Sequence, residues 1–268
     1  MTIRGKTGLR LAVDIGNTNT VIGLFENGAI LRRWRLATRK DTTVDEITWW
    51  LHGLMRTEGD RGRISATAMA SVVPALDDSW VRALEGEFGT APQVLDFSNC
   101  LGLDLEYEIP RQIGADRLAN VLGAYALGHE LGIVIDLGTA TTFDVFGNYG
   151  YWGGIICPGI HTSLRSLAQS AAKLSEVELK WTDTAIGKTT DDALRIGMLM
   201  GTLGQVEYLL RAIIKEKGMR KPSIIATGGL APLLGEKSKS IRFIEPDLTL
   251  IGINHLLDGK SGKRRRKQ

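Results

Sequence analysis

Cysteine is nearly absent: Cys100 and Cys157 are the two in 268 residues. A disulfide framework and a four-cysteine zinc site are therefore excluded. No stretch approaches the roughly 18 uninterrupted apolar residues of a membrane span. The opening MTIRGKTGLR is polar and Asp14 interrupts the short apolar run behind it, so no signal peptide is expected. The 4 histidines (His52, His129, His161, His255) lie too far apart in sequence for metal-ligand spacing. There is no G-x-x-x-x-G-K-[ST] anywhere and no G-x-G-x-x-G behind the first apolar run, which disfavours P-loop kinases and nicotinamide dehydrogenases. The expectation is a soluble, cytoplasmic protein.

What is present is ordinary for a globular chain: 43% hydrophobic and 24% charged residues. The length suits one compact unit or two half-domains of roughly 130 residues sharing a cleft. The net charge of +3 is misleading, because the last nine residues, KSGKRRRKQ, hold six positive charges and no negative one. The remaining body is net negative, so nucleic acid is not an expected partner and the basic run reads as a solvated tail. Trp34, Trp49, Trp50 and Trp152 lack a surrounding basic track and read as packing residues.

Along the chain, 32 glycines cluster where apolar strands end. Residues 9–37 read as strand, tight loop, strand, turn and strand, with Glu26-Asn27-Gly28 as a hairpin turn. Val44, Ile47, Leu51, Leu54 and Met55 repeat at helical spacing over 43–57. A buried strand is expected over 64–73, a helix over 76–88 and a strand near 92–96. Further on, Gly153–Gly159 reads as a glycine-rich loop, 160–174 as a helix and 189–217 as a long helix. Gly197, Gly201 and Gly204 punctuate that helix, which implies close approach of another helix, within the fold or across a dimer. Ser223–Ala226 reads as a strand running into Thr227-Gly228-Gly229.

The opening motif recurs. Asp14-Ile15-Gly16-Asn17-Thr18-Asn19-Thr20 returns as Asp136-Leu137-Gly138-Thr139-Ala140-Thr141-Thr142, nearly half the chain later. Both copies follow an apolar strand, run into a second one, and reach a turn (Asn27-Gly28; Gly147-Asn148). One D-x-G-[NT] is weak evidence; two with matching flanks indicate a duplication. The expected fold is α/β: two duplicated ribonuclease H-like (actin-like ATPase) halves with a cleft between them. The boundaries are 9–125 for the first half, 126–257 for the second and 258–268 for the basic tail.

Chemically, a carboxylate at a strand end can hold a hydrated cation, and a following glycine lets backbone N–H groups approach phosphate oxygens. Two such loops, one per half, could grip one nucleotide's phosphates, with Thr227-Gly228-Gly229 on the nucleoside side. Gly114-Ala115-Asp116-Arg117 opens an apolar helix. An Asp there could accept a proton from an alcohol while the Arg orients an anion.

The order of these motifs resembles type III pantothenate kinase, in the superfamily that joins acetate and sugar kinases to heat-shock ATPases and actin. The resemblance spans about Leu11 to Leu257. It rests on DIGNTNT at 14–20, Tyr107 through GADR at 114–117, and DLGTATTFD at 136–144. GGIICPGI at 153–160, IGKTT at 186–190, TGGLAP at 227–232 and PDLTLIGI at 246–253 complete it. Two positions depart from the family pattern: Ile109 stands where many relatives have Asn, and Ser175 where they have Pro.

The resemblance implies transfer of the ATP γ-phosphoryl group to the hydroxyl of pantothenate, the first step of coenzyme A synthesis. It implies ATP phosphates against Asp14, Ile15, Gly16, Asn17, Thr18, Asn19, Thr20 and Thr139. Pantothenate would lie against Tyr107, Gly114, Ala115, Asp116, Arg117 and Thr190. Asp116 matches the general base, and Asp136 the ligand of a monovalent cation, K⁺ or NH₄⁺. Mg²⁺ would accompany ATP with Asp14 as a partner, and the enzyme would be a homodimer. From charge and position, Arg117 is expected to clamp the pantothenate carboxylate. The alternatives are another small-alcohol kinase or a phosphatase of the superfamily, and a non-catalytic nucleotide-binding regulatory protein.

Overall fold

The computed structural model describes residues 8–56, 63–170 and 177–259. The chain divides into two compact units. One comprises the residues up to Gly128 together with those from Leu248 on, the other His129–Asp247. Among the described residues no helix is long and apolar enough to cross a membrane.

The first unit opens with β1 (Leu9–Ile15), β2 (Asn19–Glu26) and β3 (Ala29–Ala37). Asn27 and Gly28, both at positive φ, form the two-residue turn between β2 and β3. Helix α1 (Val44–Arg56) starts on a reciprocal cap: the Thr43 N–H donates to Glu46 Oε2 at 2.9 Å and the Glu46 N–H to Thr43 Oγ1 at 3.3 Å. Then come β4 (Ile64–Ser71), α2 (Pro74–Phe88) and β5 (Gln93–Leu95). The sheet runs β3-β2-β1-β4-β5, antiparallel through its first three strands and parallel from β1 onward. Strand alternation sends Leu9, Leu11, Val13, Ile15, Ile22 and Leu24 to one face, against Ile47 and Leu51 of α1 and Trp80 and Leu84 of α2. A short strand β6 (Asp104–Leu105) and a 3₁₀ turn at Pro110–Gln112 lead to α3 (Ala115–Ala126).

The second unit repeats the plan with β7 (Leu131–Leu137), β8 (Ala140–Gly147) and β9 (Gly150–Pro158). Helices α4 (Ile160–Ser170) and α5 (Thr190–Glu216) follow, then β10 (Ser223–Thr227), α6 (Ala231–Gly235) and β11 (Phe243–Ile244). Within this unit the strands lie β9-β8-β7-β10-β11, with the directions of the first unit. The duplication seen in the motifs is therefore a duplication of topology. Two details differ from the sequence reading. The β8–β9 turn residues are Asn148 and Tyr149, both left-handed, rather than Gly147-Asn148. Gly153–Gly159 is mostly strand: β9 pairs with β8 across it, with a register shift near Asp144 and Gly153 at φ +100°. Its glycines mask the alternation, while Ile155 and Cys157 still reach the core. Residues 171–174 of the helix expected over 160–174, the Ser175 departure and the basic run from 260 lie outside the described residues.

The last helix, α7 (Leu248–Leu256), returns to the first unit, whereas the sequence reading grouped it with the second half. It packs on α3, β1 and β4. Leu250 lies over Gly23 on the sheet face opposite α1 and α2. Its burial explains the return: Leu248, Leu250, Ile253 and Leu256 are all 3% exposed or less. The Thr249 hydroxyl donates to Asn120 Oδ1 of α3 at 2.7 Å, and Arg10 of β1 pairs with Asp258 just past the helix.

Candidate active site

In the first unit the phosphate-type loop is the β1–β2 hairpin. Asp14 sits one residue from the end of β1, opposite Val21. The Gly16 N–H closes the turn on the Asn19 carbonyl at 3.0 Å, and a Cβ at Gly16 would press on that same oxygen. Asn17 and Thr18 are exposed at the tip. Ile15 and Thr20 point the other way. Ile15 is fully buried in the core, and the buried Thr20 hydroxyl bonds to that of Thr38 at 2.9 Å. Those two residues can offer a ligand only backbone atoms.

The GADR segment stands at the same end of this sheet. The Val72 N–H, just beyond β4, donates to the Ile15 carbonyl at 3.0 Å, and Gly114 lies against the Val72 side chain. Gly114 caps α3, and a Cβ there would strike Asp116 Oδ1. Asp116 Oδ1 accepts the Arg117 N–H at 2.8 Å. Burial pushes the Asp116 carboxyl above the usual range, and the bond from Arg117 and its positive charge oppose that shift. Arg117 is only 5% exposed and neighbours Asp116 from inside the unit. Tyr107 is half-buried in the loop after β6, its N–H turned back to the Leu105 carbonyl at 2.9 Å.

In the second unit Asp136 stands one residue from the end of β7, between Thr142 of β8 and Thr227 of β10. Two glycines bring their backbone close against its carboxylate, and a third packs on the loop beyond it. A Cβ at Gly228, itself at φ +88°, would strike Asp136 Oδ1, and one at Gly138 would come within 3.2 Å of it. A Cβ at Gly159 would strike the carbonyls of Gly138 and Thr139. The Thr162 hydroxyl of α4 donates to the Thr139 carbonyl at 2.7 Å, so α4 braces the loop whose tip Thr139 exposes. Thr190 is the exposed first residue of α5, which Thr189 caps by accepting the Asp192 N–H at 3.1 Å.

The sequence model of type III pantothenate kinase matches residues 10–212. The chain belongs to the type III pantothenate kinase family. A type III pantothenate kinase from Desulfosudis oleivorans is 40% identical over 246 residues, 91% of this chain and 96% of the relative. One from Rhizorhabdus wittichii is 44% identical over 254 residues, 92% and 97% of the two chains. Among solved structures, the ROK hexokinase of Thermus thermophilus covers 92% of this chain and 98% of its own at a TM-score of 0.54. At 13% identity that likeness speaks for the fold alone, the ribonuclease H-like plan of sugar kinases, here present twice.

In this type III pantothenate kinase, sequence reasoning missed Thr162 and the bracing part played by Gly159. Both had a signal: a glycine straight after Pro158, and a hydroxyl in the first turn of the next helix. The family resemblance named Asp136; its glycine surround was visible only once β7 and β10 lay side by side.

Proposed function

We propose that the chain transfers the γ-phosphoryl group of ATP to the hydroxyl of pantothenate, the entry step of coenzyme A synthesis. The observation that carries this reading is Asp116: a half-buried, partly desolvated carboxylate at the start of α3, at the sheet end that also carries the β1–β2 hairpin. Phosphoryl transfer asks chiefly for positioning and charge neutralisation, and an aspartate at hydrogen-bond distance aims the hydroxyl and takes its proton. Asp116 acts in that role, with the Arg117 charge beside it favouring the ionised form. In the first unit, Gly16 to Asn19 are the residues proposed for phosphate and Tyr107 and Gly114 to Arg117 those for pantothenate; in the second, Thr139 is proposed for phosphate and Thr190 for pantothenate.

Asp14 is the carboxylate offered to the Mg²⁺ that travels with ATP, an ion that keeps several waters and neutralises phosphate charge when bound. Asp136, the carboxylate against which Gly138 and Gly228 pack, is the residue offered to a monovalent cation, K⁺ or NH₄⁺. The homodimer expected for the family finds support in α5, where Gly197, Gly201 and Gly204 line an exposed face beside Tyr208, itself 67% exposed. An ATP-dependent step of coenzyme A synthesis belongs in the cytoplasm, and the two free, buried thiols suit that compartment.

The deciding assay is formation of phosphopantothenate from ATP and pantothenate, in K⁺ and with K⁺ replaced by Na⁺, for wild type and Asp116→Asn. Product in K⁺ alone, and none from the variant, is the expected result. The variant also separates lost chemistry from lost structure. Asp116 has a raised pKa in the folded state, so its ionisation weakens folding as pH climbs from the ordinary carboxylate range. The Asn variant is therefore expected to melt higher than wild type at neutral pH, with the difference shrinking in acid. Near-normal turnover by Asp116→Asn would remove the base, and no product from folded, ATP-binding wild type would remove the acceptor.

A further inference from the structure

The phosphate hairpin has no cation of its own. From Asp14 to Thr20 it carries one acid and no Lys or Arg, yet the ligand proposed for it is a polyanion. Register shows where a positive charge stands. Asp14 pairs with Val21, and Val21 pairs with Arg35 of β3. Cross-strand partners share a face, so Asp14, Val21 and Arg35 form one row, opposite the row of Val13, Ile22 and Trp34 that faces the core. Two strand spacings separate Arg35 from Asp14, about 10 Å. An arginine side chain meeting a phosphate group bridges that distance. β3 then runs on to the hairpin itself: Ala37 pairs with Asn19, and the Thr38 N–H donates to the Thr18 carbonyl at 3.0 Å.

The other arginines around this sheet are committed. Arg10 pairs with Asp258, Arg39 with Glu46 at 2.6 Å and Arg63 with Glu26 at 2.8 Å, and Arg32 and Arg33 also make contacts. Arg35 is exposed, and among the described residues it has no carboxylate partner. We propose that Arg35 is the cation of the phosphate hairpin, a positioning residue that takes the outer phosphates of a nucleoside di- or triphosphate lying against Asp14–Thr20. This rests on the nucleotide reading above but not on the identity of the acceptor. An exposed arginine on the outermost strand of a sheet has a second use, keeping that strand from pairing with other chains. The two uses predict different things.

The test is calorimetric titration of MgATP, MgADP and AMP into wild type, Arg35→Ala, Arg35→Gln and Arg35→Lys, with no pantothenate present. Loss of one charge-assisted contact to phosphate predicts ATP and ADP binding weakened about tenfold in the Ala and Gln variants, with partial recovery in Lys. AMP affinity is expected within twofold of wild type throughout. In steady state the KM for ATP rises while that for pantothenate stays put. Unchanged ATP affinity in the Ala and Gln variants would overturn the proposal and leave Arg35 as a guard of the strand. Equal weakening of ATP and AMP would overturn it too, as a general distortion of the nucleotide site. Because binding is read without acceptor, a wild type that ignores pantothenate would sink the acceptor and leave the Arg35 result standing.

Discussion

Gly123 and Gly252 sit where α3 and α7 cross, and a Cβ at either would strike backbone: Gly252 against the Ala119 carbonyl, Gly123 against that of Leu248. Gly197, Gly201 and Gly204 sit along α5, and a Cβ at any of them would meet nothing within 4 Å. Each glycine inside a helix costs roughly 1 kcal/mol of propensity relative to alanine. On α3 and α7 that cost is offset inside the chain, because backbones come close enough to bury Leu248, Leu250 and Ile253 and to join Thr249 to Asn120. On α5 nothing among the described residues offsets it. The same residue type thus reports a finished contact in one place and an open face in the other, and the open face is what supports a second copy there.

The contrast is sharpest at Gly252. Gly252→Ala forces a methyl into the Ala119 carbonyl, so α7 must shift off α3. Destabilisation of about 3 kcal/mol or more is expected in urea unfolding, at the upper end of overpacking costs. A loss under 1 kcal/mol would mean that the crossing is looser than the backbone contact implies. Gly201→Ala should go the other way. It gains up to about 1 kcal/mol of helix propensity in the single chain, and sedimentation should show the proposed dimer weakened as the face fills. Gain of stability with an unchanged dimer would move the subunit contact off α5. The smallest effect is expected at Thr249→Val, which removes a hydrogen bond to the buried Asn120 and keeps the volume. About 1 kcal/mol should be lost, with turnover unaltered.

Much of this was legible before any coordinates. Short apolar runs bounded by polar loop and turn residues located β1, β2 and β4, and helical spacing located α1. The repeated Asp-x-Gly motif announced a repeated sheet, because strand ends that bind anions need glycine at the same offsets. The chain's glycine-rich third strand was not legible: in β9, Gly150, Gly153 and Gly154 remove the side chains whose alternation would have marked it. Nor could local pattern say that α7 belongs to the first unit, since its apolar residues specify burial but not the partner. At the site, motif identity pointed to Asp116 and Asp136. It could not tell that Ile15 and Thr20 turn their side chains inward, or that Arg117 is buried, because those are facts of packing.

The return of α7 has a consequence for how the chain is made. Residues of β1 to α3 are synthesised before the second unit, but the helix that covers their second sheet face follows that unit in the sequence. Arg10 and Asp258 are 248 positions apart in sequence. The second unit, drawn from one uninterrupted stretch, can close its core while the first still waits, its row of Gly23, Ala12 and Ala68 bare. Synthesis therefore runs opposite to assembly: the unit begun before the other is completed after it, and a chain that stops before α7 would leave that sheet face uncovered.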